Sequence, residues 1–304
     1  DGTPLSPNSQ GNEVGQDHGG FPGAGNTMLR PQGIVSDRDG NIWMANCGND
    51  SVTQFPGGDP DLAFAVAPTD DMDMPLIDHP FTLAIDAEGD AWLSSNFNDT
   101  ILEFDTAGNV IFSLKDTAAS DAGIKYPMGL ATDRLGNVWV ANAGLPAPPC
   151  FTDDTSLFES VDLTMEPGFS NDNASVSMIG PDGSAVGPFK GGGLAWPWGI
   201  AVDGADNVWV ANFNGQRLSQ FCGARPETCP PGFTTGDPIS PDGGYGSNAL
   251  VRNTGVQIDP SGNVWLANNW LLVPVQTNPG GRSVAVFLGL ATPVKTPLIG
   301  PPRI

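Results

Sequence analysis

Pro197-Trp-Gly-Ile-Ala-Val-Asp203-Gly-Ala-Asp-Asn207-Val-Trp209-Val-Ala-Asn212, followed by Arg217-Leu-Ser-Gln-Phe221, is the stretch that decides the fold. A short β-rich run ends in Asp, two or three turn residues lead to Asn, and an apolar-Trp-apolar run follows. Asp at a strand end accepts backbone N–H bonds from the turn, Gly supplies positive φ and Asn tolerates the left-handed region, so the string reads as a tight hairpin. The unit recurs at Pro31 to Asp37 with Trp43, Pro80 to Asp86 with Trp92, and Pro127 to Asp133 with Trp139. A fifth copy has Asn253 in place of Pro, then Gly255, Asp259 and Trp265. Third strands read at 51–55, 100–104, 175–179, 217–221 and 283–287, and a fourth at 109–114. Sheets this small cannot bury both faces alone and must stack radially.

The expectation is therefore an all-β chain, a β-propeller with five recognisable blades whose ring is closed by the termini. A six-bladed alternative would combine the N-terminal segment with the tail from Ala291, where no copy of the unit survives. Residues 1–29 form a polar, Gly-rich segment, and 30–304 form one propeller domain. The repeated Trp reads as core between blades.

The string Pro-x-Gly-Ile-Ala-x-Asp-x-x-Gly-Asn-x-Trp-Val-Ala-Asn with Arg-Leu-Ser-Gln-Phe resembles NHL repeats. It is similar to those of streptogramin-lyase-like (virginiamycin B lyase-like) secreted bacterial propellers, over roughly residues 30–290. The resemblance implies the fold. It does not imply one activity, because NHL-like propellers include lyases, lactonases, amidating enzymes and binding modules.

The 34 acidic against 12 basic residues, a net charge of −22, exclude nucleic acid and anionic lipid as natural partners. No apolar run nears the roughly 18 residues that a membrane span needs. An acidic chain opening on a polar segment reads as secreted, extracellular or periplasmic. Cys222 and Cys229 bracket a six-residue loop, a spacing that closes a small disulfide ring. Cys47 and Cys150 lie in separate repeats, and spacing leaves their pairing open.

Long loops gather at the Pro-x-Gly end of the blades, at 69–79, 145–170 and 269–282, whereas the other end carries short turns and the cysteine ring. Long loops on a rigid scaffold carry binding surfaces. Around the mouth on that face the copies disagree: Arg30, His79, Tyr126, Trp196 and Arg252 precede the inner strands, and Gln32, Phe81, Met128, Trp198 and Thr254 follow one residue in. Arg30, His79, Tyr126, Trp196, Trp198 and Arg252 are the candidate ligand-binding set, with Trp196 and Trp198 as an apolar platform and Trp270 nearby.

Resemblance to streptogramin-type lyases implies histidines at this mouth. His18 and His79 are the two in the chain, His18 lies outside the repeats, and a three-His metal site cannot be built. Calcium is the softer possibility, with Asp70, Asp71 and Asp73 as candidates and Asp153, Asp154 and Glu159 as a second group. No Gly-x-Ser-x-Gly is present. Asn49, Asn98 and Asn173 head acceptor sequons for glycosylation, at turns where structure alone explains Asn. The reading is a propeller that binds a small molecule or protein at the Pro-x-Gly face without catalysis or cofactor, and that self-assembles through its N-terminal segment. The alternative is a divalent-cation-dependent lyase or lactonase.

Overall fold

A computed structural model describes residues 21, 23, 28–145, 173–270 and 283–294. They form five antiparallel sheets arranged in a ring, a five-bladed β-propeller. Blade one is β1 (Pro31–Ser36), β2 (Ile42–Asn46), β3 (Ser51–Phe55) and β4 (Phe64–Val66); blade two is β5 (Pro80–Ile85), β6 (Ala91–Ser95), β7 (Thr100–Phe104) and β8 (Val110–Leu114). Blade three is β9 (Pro127–Thr132), β10 (Val138–Asn142), β11 (Ser175–Ile179) and β12 (Ala185–Phe189); blade four is β13 (Pro197–Val202), β14 (Val208–Asn212), β15 (Arg217–Phe221) and β16 (Tyr245–Gly246). Blade five has three strands, β17 (Arg252–Ile258), β18 (Val264–Trp270) and β19 (Ser283–Phe287).

Each element of the repeat has a bond to make. In the hairpins, Oδ1 of Asp37, Asp86, Asp133, Asp203 and Asp259 accepts backbone N–H groups two and four residues on. Oδ2 accepts the indole Nε1 of Trp43, Trp92, Trp139, Trp209 and Trp265 at 2.9–3.1 Å. The Asp thus folds the turn and satisfies the one polar atom of the core tryptophan. At the far end of the second strand, Asn46, Asn142, Asn212 and Asn268 donate to Ser or Thr hydroxyls of the third strand at 2.8–3.0 Å. The Gly of Pro-x-Gly is required by close approach: a Cβ on Gly129 would lie 2.5 Å from Trp198 O, and one on Gly199 2.5 Å from Thr254 O.

The core lies in the seams between blades. Trp43 packs on Leu83, Ile85 and Phe104 of blade two, Trp92 on Leu130 and Val140 of blade three, Trp139 on Ile200 and Val210 of blade four, and Trp209 on Val256 and Leu266 of blade five. These four indoles are buried; Trp265 is 43% exposed. Among the described residues, Cys47 of blade one and Trp270 of blade five belong to one apolar cluster at the mouth, but no tryptophan-centred seam like the other four joins these two blades. A Cβ on Gly255 would meet only Ala267 of its own blade, and Ile34 on blade one is 62% exposed. Residues 288–294 pack back on blades four and five, with Gly204 N donating to Thr292 O and Ala291 N to Gly262 O, both at 3.0 Å. Most of the two termini expected to close the ring lies outside the described residues.

The Cys222–Cys229 disulfide is formed. Cys47 is buried and disulfide-bonded; Cys150 lies outside the described residues. The disulfide ring carries Arg225, whose guanidinium lies 3.1 Å from the buried carboxylate of Asp206, with Arg134 at 3.7 Å on the other side. Asp206 holds the turn position that is Gly in the other hairpins, at φ 64°.

Candidate functional site

Four of the five residues that precede an inner strand share an uncommon backbone. Arg30, His79, Tyr126 and Trp196 have φ between 48° and 58°, and each is followed by proline. The neighbouring blade holds two of them in place. Asp50 Oδ1 accepts His79 N–H and Asp99 Oδ1 accepts Tyr126 N–H, both at 2.7 Å. The Asn-Asp turn between the second and third strands of one blade therefore sets the start of the next. Left-handed non-glycine residues cost of order 1 kcal/mol or more each and persist only where surrounding structure fixes them.

The side chains of this ring divide into two groups. On blades one to three the mouth is polar and partly exposed. His79 Nδ1 lies 2.5 Å from Asp78 Oδ1 and 3.7 Å from Asp50 Oδ1, and its ring stacks on Phe97 at 4.2 Å. Phe97 meets Tyr126 edge-on at 6.0 Å. The hydrogen bond to Asp78 raises the His79 pKa above its ordinary value of 6.5.

On blades four and five the mouth is filled. Trp196 and Trp198, expected as an apolar platform, and Arg252, expected in the same ligand-binding set, are buried together with Phe81, Met128, Phe213 and Trp270. Phe213 is the centre of this cluster. Trp198 stacks on it at 4.7 Å, Trp196 and Trp270 meet it edge-on at 5.1 and 5.6 Å, and the Arg252 guanidinium lies 5.2 Å from its centroid. Arg252 Nη1 approaches Phe213 O at 3.5 Å and Asn214 Oδ1 at 3.3 Å; burial pulls its pKa below the usual range. Among the described residues, three buried donors here have no acceptor: Trp196 Nε1, Trp270 Nε1 and Asn214 Nδ2.

The acidic loop behaves differently from the expectation of a ligand set. Asp70 accepts the N–H groups of Met72 and Met74 at 2.9 and 3.1 Å and pairs with Lys115 at 3.1 Å, and these bonds hold its pKa down. Asp71 and Asp73 do not join it around a common point. Among the described residues, the sets whose ligand atoms lie within 4.8 Å of one another are Asp50, Asp78 and His79 at the mouth, and Asp86, Asp90 and Glu103 in blade two. In the second set Asp90 stands where the other hairpins have Asn. The lost donor leaves three carboxylates together, and burial with the charges of Asp86 and Asp90 pushes Glu103 up to about 7. Asp153, Asp154, Glu159 and His18 lie outside the described residues.

Sequence reasoning named His79 but not Asp50 or Asp78, and Trp196 but not Phe213 or Asn214. Asp90 alone carried a readable signal, as a Gly-Asp where four copies have an Asn.

The fold and mouth define a five-bladed β-propeller. Residues 194–221, the start of blade four, match the family described as NHL repeat. Among solved structures the chain is similar to a streptogramin B lyase, with a TM-score of 0.58 and 14% identity over 91% of this chain and 72% of that one. It is similar to virginiamycin B lyase from Staphylococcus aureus (0.52, 13%, 88% and 71%). A gluconolactonase from Xanthomonas campestris gives 0.53 and 15% over 88% of this chain and 75% of that one. At these identities the likeness is one of fold. No curated protein matches the sequence significantly.

Proposed function

We propose that the protein is a secreted or cell-surface propeller that binds, without catalysis, a small ligand bearing hydrogen-bond acceptors at the Pro-x-Gly face where blades four and five meet. The observation that carries this reading is the group of three buried, unsatisfied donors around Phe213, beside the Arg252 guanidinium. A buried donor left without an acceptor costs about 1–3 kcal/mol, and three in one aromatic cluster have a common remedy in a ligand that brings the acceptors. Donors, a cation and ring faces together suit an aromatic carboxylate. Export is supported by the disulfides, which persist in oxidising compartments.

The test is a tryptophan-fluorescence titration with benzoate. Saturable quenching in the native protein, lost in Arg252→Met and weakened by using methyl benzoate, supports the reading. An unsaturable response that is the same in both proteins rejects it.

A second reading, a divalent-cation-dependent lyase or lactonase, is favoured by one observation. Asp50, Asp78 and His79 offer two carboxylates and an imidazole at the mouth, and the lyases and gluconolactonase that share the fold are enzymes by name. Calorimetric titration with Mn²⁺ and Ca²⁺ decides it: a heat of binding abolished by His79→Gln supports a metal centre, and no heat rejects it.

A further inference from the structure

Asn214-Gly215 is the single Asn-Gly pair in the chain. It lies in the turn 213–216 that joins β14 to β15. The same turn reads Gly48-Asn49-Asp50 in blade one and Phe97-Asn98-Asp99 in blade two, where blade four has Asn214-Gly215-Gln216. Blade four thus carries its Asn one position earlier and follows it with Gly. That order has a chemical consequence. The main-chain nitrogen after an Asn can attack the side-chain carbonyl, and Gly, which lacks Cβ, obstructs the attack least.

Two guanidinium groups flank this pair. Arg252 Nη1 lies 3.3 Å from Asn214 Oδ1, and both residues are 1% exposed. On the other side the Arg217 guanidinium rests against Gly215, so closely that a Cβ there would run into it. The turn is held in place: Asn214 N donates to Ala195 O at 3.1 Å, and Gly215 and Gln216 have φ of 81° and 52°. Two of the chain's 12 basic residues therefore enclose one neutral dipeptide. Away from bulk water, cations this close favour any negative charge that forms between them. Among the described residues Asn214 Nδ2 has no acceptor, so its departure breaks no hydrogen bond with them.

We infer that Asn214 is a self-modification site, converted within the folded protein to aspartate or isoaspartate through a succinimide. The Gly215 nitrogen loses its proton to hydroxide and forms a bond to Asn214 Cγ. Negative charge then gathers on Oδ1, beside Arg252 Nη1, which is where a preorganised cation stabilises it. The Cγ–Nδ2 bond breaks, Nδ2 takes up a proton, and ammonia leaves. Water adds to one of the two ring carbonyls and opens the ring, leaving a carboxylate. Arg217 favours the anionic nitrogen that attacks, and Arg252 favours both the intermediate and the product. The conversion replaces a donor at the Phe213 cluster by a negative charge, which opposes capture of an anionic ligand. That consequence rests on the proposed ligand site, whereas the conversion itself does not.

The test needs no ligand. The full chain is held folded at mildly alkaline pH for several weeks, and a parallel sample is held unfolded in urea. Peptide mass spectrometry follows the gain in mass as each amide becomes an acid, and an isoaspartate assay separates the two products. Conversion is expected at Asn214 ahead of every other Asn. In the folded state Arg252→Met and Arg217→Met should each slow it at least several-fold, and in urea both variants should convert at the rate of the native sequence. Far-ultraviolet circular dichroism shows which variants are folded, and the half-exposed Arg217 keeps the comparison open where Arg252→Met does not fold. An Asn214 that remains an amide in the folded chain overturns the inference. So does an unchanged rate in either folded variant, or a slowing that persists in urea.

Discussion

Trp139 Nε1 donates to Oδ2 of Asp133 at 2.9 Å, while Oδ1 of the same carboxylate accepts the N–H groups of Leu135 and Asn137 at 2.9 and 3.0 Å. One side chain therefore ties the hairpin turn to the tryptophan of the seam. Asp133→Ala removes the acceptor for all three and is predicted to destabilise the protein by about 2–4 kcal/mol, since buried donors are orphaned together. Asp133→Asn, which retains one acceptor oxygen, should cost about half as much. Urea denaturation followed by tryptophan fluorescence measures both.

Blade two carries the opposite test. Asp90→Asn restores the residue found in the other four hairpins and breaks up the carboxylate set with Asp86 and Glu103. Burial first, then the charges of Asp86 and Asp90, raise Glu103 from 4.5 to about 7. A carboxyl whose native pKa is raised contributes stability below its unfolded value, and loses it as pH climbs through the native value. Stability should therefore fall between about pH 4.5 and 7 on this account. Both Asp90→Asn and Glu103→Gln should flatten that fall and raise the melting temperature at pH 8 by a few degrees, equivalent to about 1 kcal/mol.

His79 supplies a separate pH signature. Its pKa is raised chiefly by the bond to Asp78, so the protonated ring is favoured in the native state. Its contribution is complete below about pH 6.5 and is lost as pH rises through the elevated native value. Proton NMR of the imidazole should give a midpoint above 6.5 in the native protein, and Asp78→Asn should move it back down. A midpoint that does not respond to Asp78→Asn would remove Asp78 as the cause.

The disulfide ring makes a stability prediction through Arg225. The Asp206 side chain is 1% exposed and depends on Arg225 at 3.1 Å. Arg225→Ala leaves a buried carboxylate with a distant partner and should cost about 3 kcal/mol. Asp206→Gly removes the charge and relieves a φ of 64°, so it should be near neutral or stabilising. In the Asp206→Gly background, Arg225→Ala should then have little effect. Thermal denaturation of the three variants closes the cycle.

The five blades were legible because each repeat states its own local chemistry: Asp133 for the turn, Trp139 for the seam, Gly129 for the close approach to Trp198. The inward turn of Trp196, Trp198 and Arg252 was not legible. It depends on Phe213, which lies just beyond the last repeated residue, Asn212, and becomes central only when blades meet. The left-handed backbone at Arg30, His79, Tyr126 and Trp196 was equally hidden, because none is glycine and the bonds known to hold His79 and Tyr126 come from Asp50 and Asp99 on another blade. In the acidic loop, the backbone and Lys115 partners of Asp70 were not legible either, because spacing does not reveal them.

The central claim, that a ligand with acceptor oxygens belongs at the Phe213 cluster, is tested most directly by crystallography of the protein soaked in benzoate. The account predicts difference density beside Phe213, with a carboxylate oxygen about 3 Å from Trp196 Nε1, Trp270 Nε1 or Asn214 Nδ2. Density confined to other surfaces, with those three donors still unpaired or bonded only to water, would contradict it.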